Sequence, residues 1–402
     1  MSKIILHIDL NAFFVRCEEI KNPSLIGKAV IIGRNGRGGV VSTCSYAARE
    51  KGARSGMPTY QAVLKCPEGL VLEGDYHYYS EKSKEFFVFI KKHTTLVEPA
   101  SIDECFVDFT DVLKNEKDPI TFLRNLQKDL YKETGLYCSI GVAPTKFLAK
   151  MGSDMKKPNG LVIIRKKDAR KILSPLPIED FFRIGKKTSP RLREIGINTI
   201  GDLITKIDTE DEQIKQELGK FYYVIKDWID GKGDDEINTQ PWDPKSVGHS
   251  TTLFSDALSV EELEKPLREL SEEVARDAQK ENKVGKTVQI VLKDNEFKVI
   301  NRSKRLAEPT NKFEIIFKTA LELLKANYDG RPTRLIGVTL QQLKNPKETI
   351  EQLSLFDNYE EIKEKSQTRL IIGELNRQMH KSVFKTAADH LKENGNDTRR
   401  GK

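Results

Sequence analysis

No apolar run in the 402-residue sequence approaches the roughly 20 residues that a membrane-crossing helix needs, so no membrane partner is expected. The first apolar stretch, Ile4 to Ile8, runs straight into Asp9 and lacks a small-residue cleavage site. It therefore reads as a buried strand, and the protein as cytoplasmic. Cysteine is scarce: Cys17, Cys44, Cys66, Cys105 and Cys138 form an odd, scattered set with no C-x-x-C spacing, which suggests neither a disulfide framework nor a zinc site. Charge of one sign is only in modest surplus, 67 Lys and Arg against 60 Asp and Glu, a net +7 with a pI near 8.9. Such a surplus permits a polyanionic partner without demanding one. What is present, 38% hydrophobic and 32% charged residues with a mean hydropathy of -0.50, marks a globular chain and not a disordered one. The length exceeds one ordinary core and points to roughly two to four domains.

Patterning along the chain begins with a strand at Ile4 to Ile8, then an acid, then a helix from Leu10 to Ile20. Short strands at Ala29–Gly33 and Gly39–Cys44 flank a glycine-rich turn, with small helices near Tyr46–Lys51 and Pro58–Lys65. A helix at Tyr76–Lys92 precedes strands Thr95–Glu98 and Cys105–Phe109 in a hairpin-like arrangement around Asp103 and Glu104. The helix Pro119–Thr134, the strand Tyr137–Val142 and the helix Thr145–Met155 complete an α+β domain, expected to carry its helices on one face of the sheet. Past Lys166 short helices and tight turns suggest a small helical domain. A linker rich in Gly, Pro and Asp follows, and then a second α+β domain from Val247 to Leu340. The tail after Asn345 holds Gln352-Leu353-Ser354-Leu355-Phe356 and then a helix with Ile371, Leu375, Met379 and Val383 at four-residue intervals.

The residues that most invite a chemical reading are Asp9, at a strand end, and the adjacent Asp103 and Glu104 in a turn. Three carboxylates from neighbouring strand ends make an oxygen cage for hard divalent cations, magnesium above all, which bind substrate phosphates. Two such ions activate a hydroxyl nucleophile and stabilise a leaving pyrophosphate. Adjacent strand residues point to opposite faces, so Asp103 and Glu104 share a site only where the turn breaks that alternation. Taken singly, an Asp-Glu pair in a turn also reads as plain surface charge.

Five motifs raise these residues above that reading: Ile8-Asp9-Leu10-Asn11-Ala12-Phe13-Phe14, Val41-Ser42-Thr43-Cys44-Ser45-Tyr46-Ala47-Ala48-Arg49, Gly56-Met57-Pro58, Ser101-Ile102-Asp103-Glu104 and Asp154-Met155-Lys156-Lys157-Pro158-Asn159-Gly160. In order and spacing they resemble the Y-family DNA polymerases, nearest the bacterial polymerase IV (DinB) branch. The resemblance covers about residues 3 to 356 and is strongest up to Gly160. It implies a multidomain α+β right-hand polymerase. Its palm would span 1–17 and 76–165, its small fingers 18–75, and its helical thumb with a helix-hairpin-helix 166–238. A linker at 239–246, an α+β little finger at 247–345 and a tail at 346–402 would follow. The implied activity is error-prone translesion synthesis, adding deoxynucleotides to a primer 3′-hydroxyl.

By the same resemblance Asp9 and Asp103 bridge two Mg2+ ions, Glu104 completes the primer-side ion, and the Leu10 carbonyl joins the nucleotide-side ion. Thr43, Tyr46, Arg49 and Lys157 grip the triphosphate, and Phe14 is the steric gate against a ribose 2′-hydroxyl. The family often has an acid where Asn11 stands, so Asn11 is left outside the cage. Phe182 to Gly196 resembles the thumb motif, with Lys186 or Lys187 meeting DNA phosphates, although a plain helix-turn-helix packing unit fits nearly as well. Lys286, Lys293, Arg302 and Lys304 suggest a basic sheet face that cradles primer-template DNA. Gln352, Leu353, Leu355 and Phe356 resemble the peptide that docks on the sliding clamp (beta subunit). The partners are thus primer-template DNA, deoxynucleoside triphosphates and the clamp, with a monomeric enzyme expected. Two rivals remain at this point, a catalytically silent DNA-binding member of the same fold and another two-metal phosphoryl enzyme such as a nuclease or nucleotide cyclase.

Overall fold

The computed structural model describes residues 3–114, 116–233, 235–346 and 372; the clamp-like peptide at 352–356 and the rest of the expected tail helix lie outside them. The chain divides into two compact units, Met1–Asp243 and Pro244–Lys402. Among the described residues of the first unit there are eight strands: β1 (Ile5–Leu10), β2 (Val30–Gly33), β3 (Val41–Cys44), β4 (Leu70–Leu72), β5 (Val97–Pro99), β6 (Glu104–Asp108), β7 (Cys138–Ala143) and β8 (Leu161–Ile163).

Five of them form one sheet in the order β5-β6-β1-β7-β8, with β1 antiparallel to both β6 and β7. Every residue of β1 is buried. Alternation along the strand explains why. Leu6, Ile8 and Leu10 pack with Phe86, Leu123 and Leu126 of the helices Tyr76–Lys91 and Pro119–Thr134. Ile5 packs on the other side with Phe147 and Leu148 of the helix Lys146–Met155. Helices therefore cover both faces of this sheet, which corrects the one-face expectation. A continuous buried run is what a doubly covered central strand requires.

The helix Lys146–Met155 starts where the Thr145 hydroxyl accepts the Leu148 N–H. It lies directly on β7 because Gly141 has no side chain: a Cβ there would fall 1.9 Å from the Ala149 carbonyl oxygen. The helix Pro119–Thr134 is capped by Asp118, begins with Pro119 and ends at Gly135, whose φ of 76° suits glycine. A second small sheet, β3-β2-β4, includes β4, a three-residue strand that the sequence pattern does not announce. Short helices between Ala169 and Ile229 gather around Phe181, Leu192, Leu203, Tyr222 and Ile225, in one core with Phe147.

The second unit is an antiparallel sheet, β11-β10-β12-β9, made of β9 (Ser246–Ala257), β10 (Gly285–Asp294), β11 (Val299–Thr310) and β12 (Thr333–Gln341). Val288, Ile290 and Leu292 of β10 pack with Leu263, Leu267, Val274, Ile316 and Ala320 from the helices Val260–Lys280 and Phe313–Asn327. Among the described residues, no helix is long and apolar enough to cross a membrane. All five cysteines are buried free thiols.

The Gly141 contact yields a stability test. Gly141→Ala must push the Lys146–Met155 helix off β7 and is expected to cost about 3 kcal/mol, as overpacking of a tight core does. Urea denaturation measures it, and a loss under about 0.5 kcal/mol, within the range of an ordinary surface substitution, would show that the helix is not seated on this glycine.

Candidate active site

Asp9 and Glu104 face each other across the β1–β6 pair, where their Cα atoms are register partners. Above them, Lys150 Nζ lies 3.1 Å from Asp9 Oδ2 and 2.8 Å from Glu104 Oε2. Lys157 Nζ reaches Asp9 Oδ1 at 2.7 Å and Asp154 at 2.9 Å. Two ammonium groups thus hold two carboxylates that would otherwise repel. Burial alone pushes the Glu104 carboxyl up, but its neighbours His7 and Lys150 outweigh that and hold it well below the usual carboxylate range. Burial likewise lowers Lys157, yet Asp9 and Asp154 raise it further.

His7 is fully buried beneath this cluster. His7 Nδ1 lies 2.8 Å from the Ser153 hydroxyl, which is also 2.9 Å from the Lys150 carbonyl. Nε2 faces Glu104 Oε2 at 3.3 Å, the contact through which His7 helps hold the Glu104 carboxyl down. One ligand atom each from His7, Asp9 and Glu104 lie within 4.8 Å of one another, a grouping suited to a cation.

Asp103 is not in that grouping. It lies in the turn before β6, where its carbonyl accepts the Leu10 N–H at 2.9 Å and its carboxylate accepts the Ser101 hydroxyl at 2.6 Å. Burial raises its pKa, and Asp9 and Glu104 add like-charge repulsion, which marks all three as electrostatic neighbours.

Beside the carboxylates, the Arg49 guanidinium stacks over the Tyr46 ring at 5.1 Å and donates to Thr43 Oγ1 at 3.4 Å. The Tyr46 hydroxyl is buried and has no hydrogen-bond partner among the described residues, although Arg49, Lys157 and Asp9 all act on it electrostatically. A buried phenol left unsatisfied invites an acceptor. Of the two phenylalanines, Phe13 is core and Phe14 only half-buried. The Phe14 ring stacks on Tyr79 at 4.4 Å and meets Tyr76 edge-on at 5.6 Å, while Tyr79 donates to Glu18 at 2.7 Å.

Residues 8–154 match the model of the impB/mucB/samB family, and residues 244–355 match that of the family's C-terminal domain. DNA polymerase IV of Oceanobacillus iheyensis is 37% identical over 384 residues, 95% of this chain and 91% of its own. DNA polymerase IV 1 of Bacillus subtilis is 36% identical over 98% of this chain and 94% of its own. Among solved structures, a Y-family DNA polymerase chimera of Dbh and Dpo4 superposes with a TM-score of 0.74 at 25% identity, over 85% of this chain and 99% of its own. DinB from Sulfolobus solfataricus gives 0.56 at the same identity and coverage. The chain belongs to the impB/mucB/samB family, the Y-family DNA polymerases. It is a DNA-directed DNA polymerase of the translesion class.

The basic residues of this polymerase do not all lie where the sequence pattern puts them. Lys186 and Lys187 are exposed in the turn that opens the helix Thr188–Glu194. Lys293 lies on the face of the second unit's sheet that is open among the described residues, in register with Val299 and one strand-pair repeat from Asn301. Arg302 and Lys304 are register partners of the buried Ile290 and Val288, so they belong to the helix-covered side. There Arg302 donates to Asn327 and Lys304 pairs with Glu322, both on the helix Phe313–Asn327. Arg305, opposite Thr287, takes the open face instead. Lys286 sits at a register shift between Gly285 and Thr287.

Sequence reasoning missed Lys150, His7, Ser153 and Asp154 as site residues. Their signal is the i, i+4, i+7 spacing of Lys150, Asp154 and Lys157, one face of a helix running into the turn. Lys150 carries a test. Lys150→Met leaves Glu104 without its ammonium partner and Asp9 with Lys157 alone, and is expected to cost about 3 kcal/mol at neutral pH. Because the Glu104 pKa is depressed on folding, its stabilisation is present above the ordinary glutamate value of 4.5 and is lost as pH falls below it. The deficit should therefore shrink in urea titrations below that pH, and a deficit independent of pH would refute the pairing.

Proposed function

We propose that Asp9, Asp103 and Glu104, with the Leu10 carbonyl, hold two Mg2+ ions for template-directed, error-prone addition of deoxynucleotides to a primer 3′-hydroxyl past damaged template. The observation that carries this reading is the meeting of Asp9 and Glu104 at the ends of β1 and β6, with the Asp103 carboxyl as their electrostatic neighbour. Oxygen donors of this kind suit a hard divalent ion, and the His7 imidazole beside them adds one borderline donor. When bound, such ions activate the attacking hydroxyl and offset charge on the phosphates. Lys157, Arg49, Tyr46 and Thr43 are suited to gripping the triphosphate: two cations neutralise it and two hydroxyls donate to it. Phe14, braced by Tyr79, fills the space of a ribose 2′-hydroxyl.

DNA and nucleotide as partners find support in a related solved structure, an insertion ternary complex of the Dbh DNA polymerase, with a TM-score of 0.58. In this chain Lys186, Lys187, Lys293 and Arg305 are the cations we assign to the duplex backbone; Arg302 and Lys304 are bound to their own helix.

Primer extension with Mg2+ tests the reading. The Asp103→Ala/Glu104→Ala double variant should fold and yet lose extension by at least about a thousandfold, the scale on which core catalytic groups act. Full extension by it would sink the site assignment, and shortened DNA or a cyclic nucleotide as product would replace the reaction. In the same assay Phe14→Ala should accept ribonucleotides more readily, and unchanged sugar discrimination would dismiss the gate. For the clamp peptide, alanine at Leu355 and Phe356 should abolish retention on the sliding clamp while distributive synthesis persists; equal clamp affinity would refute docking there.

A further inference from the structure

Asn11 stands two residues after Asp9, just past the end of β1, and is almost wholly buried, at 1% exposure. Its backbone is fixed by donation to the Tyr137 carbonyl at 2.9 Å. Its side chain does not turn toward the carboxylates. Asn11 Oδ1 accepts the Asn159 N–H at 2.7 Å, and Nδ2 donates to Ser139 Oγ at 3.0 Å. Ser139 Oγ in turn accepts the Gly160 N–H at 3.1 Å. The oxygen end of the amide thus holds the turn Lys156–Gly160 directly, and the nitrogen end, which also donates to the Asp9 carbonyl at 3.5 Å, reaches it through Ser139.

That turn is held from every side. Gln127 Nε2 donates to the Gly160 and Cys138 carbonyls at 3.1 and 2.8 Å, and Arg124 donates to the Asn159 carbonyl at 2.9 Å. Asn159 has a φ of 58°, in the left-handed region, and a Cβ on Gly160 would fall 1.7 Å from the Lys156 carbonyl oxygen. A backbone held in such a conformation persists only where its surroundings over-determine it. The side chain that this turn delivers is Lys157, whose ammonium sits 2.7 Å from Asp9.

We propose that Asn11 is a positioning residue that sets nucleotide affinity by fixing the turn that carries Lys157. This rests on the reading of Lys157 as a triphosphate ligand. Nothing in the mechanism requires the amide itself to touch substrate. An aspartate at this position would keep both tethers, accepting from the Asn159 N–H and from the Ser139 hydroxyl, whose proton would simply turn round. Leucine, of similar volume, would keep neither.

Single-nucleotide incorporation kinetics on the full chain at saturating Mg2+ test the inference. Asn11→Leu should raise KM for the deoxynucleotide about tenfold while kcat stays within about threefold, the pattern of lost substrate binding. Asn11→Asp should return KM to near the wild-type value. Lys157→Met should raise KM as well, and Asn11→Leu added to it should change little more, because the two act through one contact. An unchanged KM in Asn11→Leu, an Asn11→Asp variant as poor as Asn11→Leu, or additive effects with Lys157→Met would each overturn the proposal. Should Asn11→Leu fail to fold, Arg124→Met loosens the same turn from its outer side, and an unchanged KM there overturns it too. If Lys157→Met itself leaves KM unaltered, the fault lies with the reading of the triphosphate site and not with the tether.

Discussion

Everything in the first unit is arranged around one electrostatic difficulty: Asp9 ends a strand whose every residue is buried, and Glu104 is its register partner. Withdrawing two like charges from water costs several kcal/mol per ion unless partners restore it. The partners come from a single stretch of chain. Thr145 starts the helix, Gly141 lets it lie on β7, Lys150 reaches both carboxylates from its middle, and the turn after Met155 returns Lys157 to Asp9. Without the close seat on Gly141, Lys150 would stand too far out to bridge the pair.

The same geometry explains why the sheet needs helices on both sides. One face of β1 presents Leu6, Ile8 and Leu10, which only an apolar layer satisfies. The other presents His7 and Asp9, which need hydrogen-bonding and charged groups, and the Lys146–Met155 helix supplies Ser153 and Lys150. Its far side buries Phe147 and Leu148 in the core that includes Phe181, Tyr222 and Ile225 of the helical segment that follows. An amphipathic helix thus joins a polar site to an apolar core.

Much of this was legible in the sequence, because local pattern and tertiary role agree there. The helices Pro119–Thr134 and Val260–Lys280 begin and end at the expected residues, since Asp118-Pro119, Gly135 and Ser259 are strong local stops. Strands β4 and β8, three residues each, escaped because runs so short have no period to read; both are parallel additions to sheets made elsewhere. Lys150 escaped for a different reason. A lysine in an amphipathic helix ordinarily faces solvent, and only the third dimension shows that the buried Asp9 and half-buried Glu104 lie beneath this one.

Arg302 and Lys304 make the complementary point about charge. On β11 alone they alternate with Asn301 and Ser303, and nothing in that strand says which side is open. The answer lies in the pairing: opposite Ile290 and Val288, they must share the covered side, where Asn327 and Glu322 engage them. A cation already paired with its own carboxylate offers less to a phosphate, because the new contact must first break the old one. The net charge of +7 therefore says little about where this chain meets a polyanion. The strand register decides which face each cation takes: Arg305 and Lys293 lie on the face that no described helix covers, and Arg302 and Lys304 on the helix-covered one.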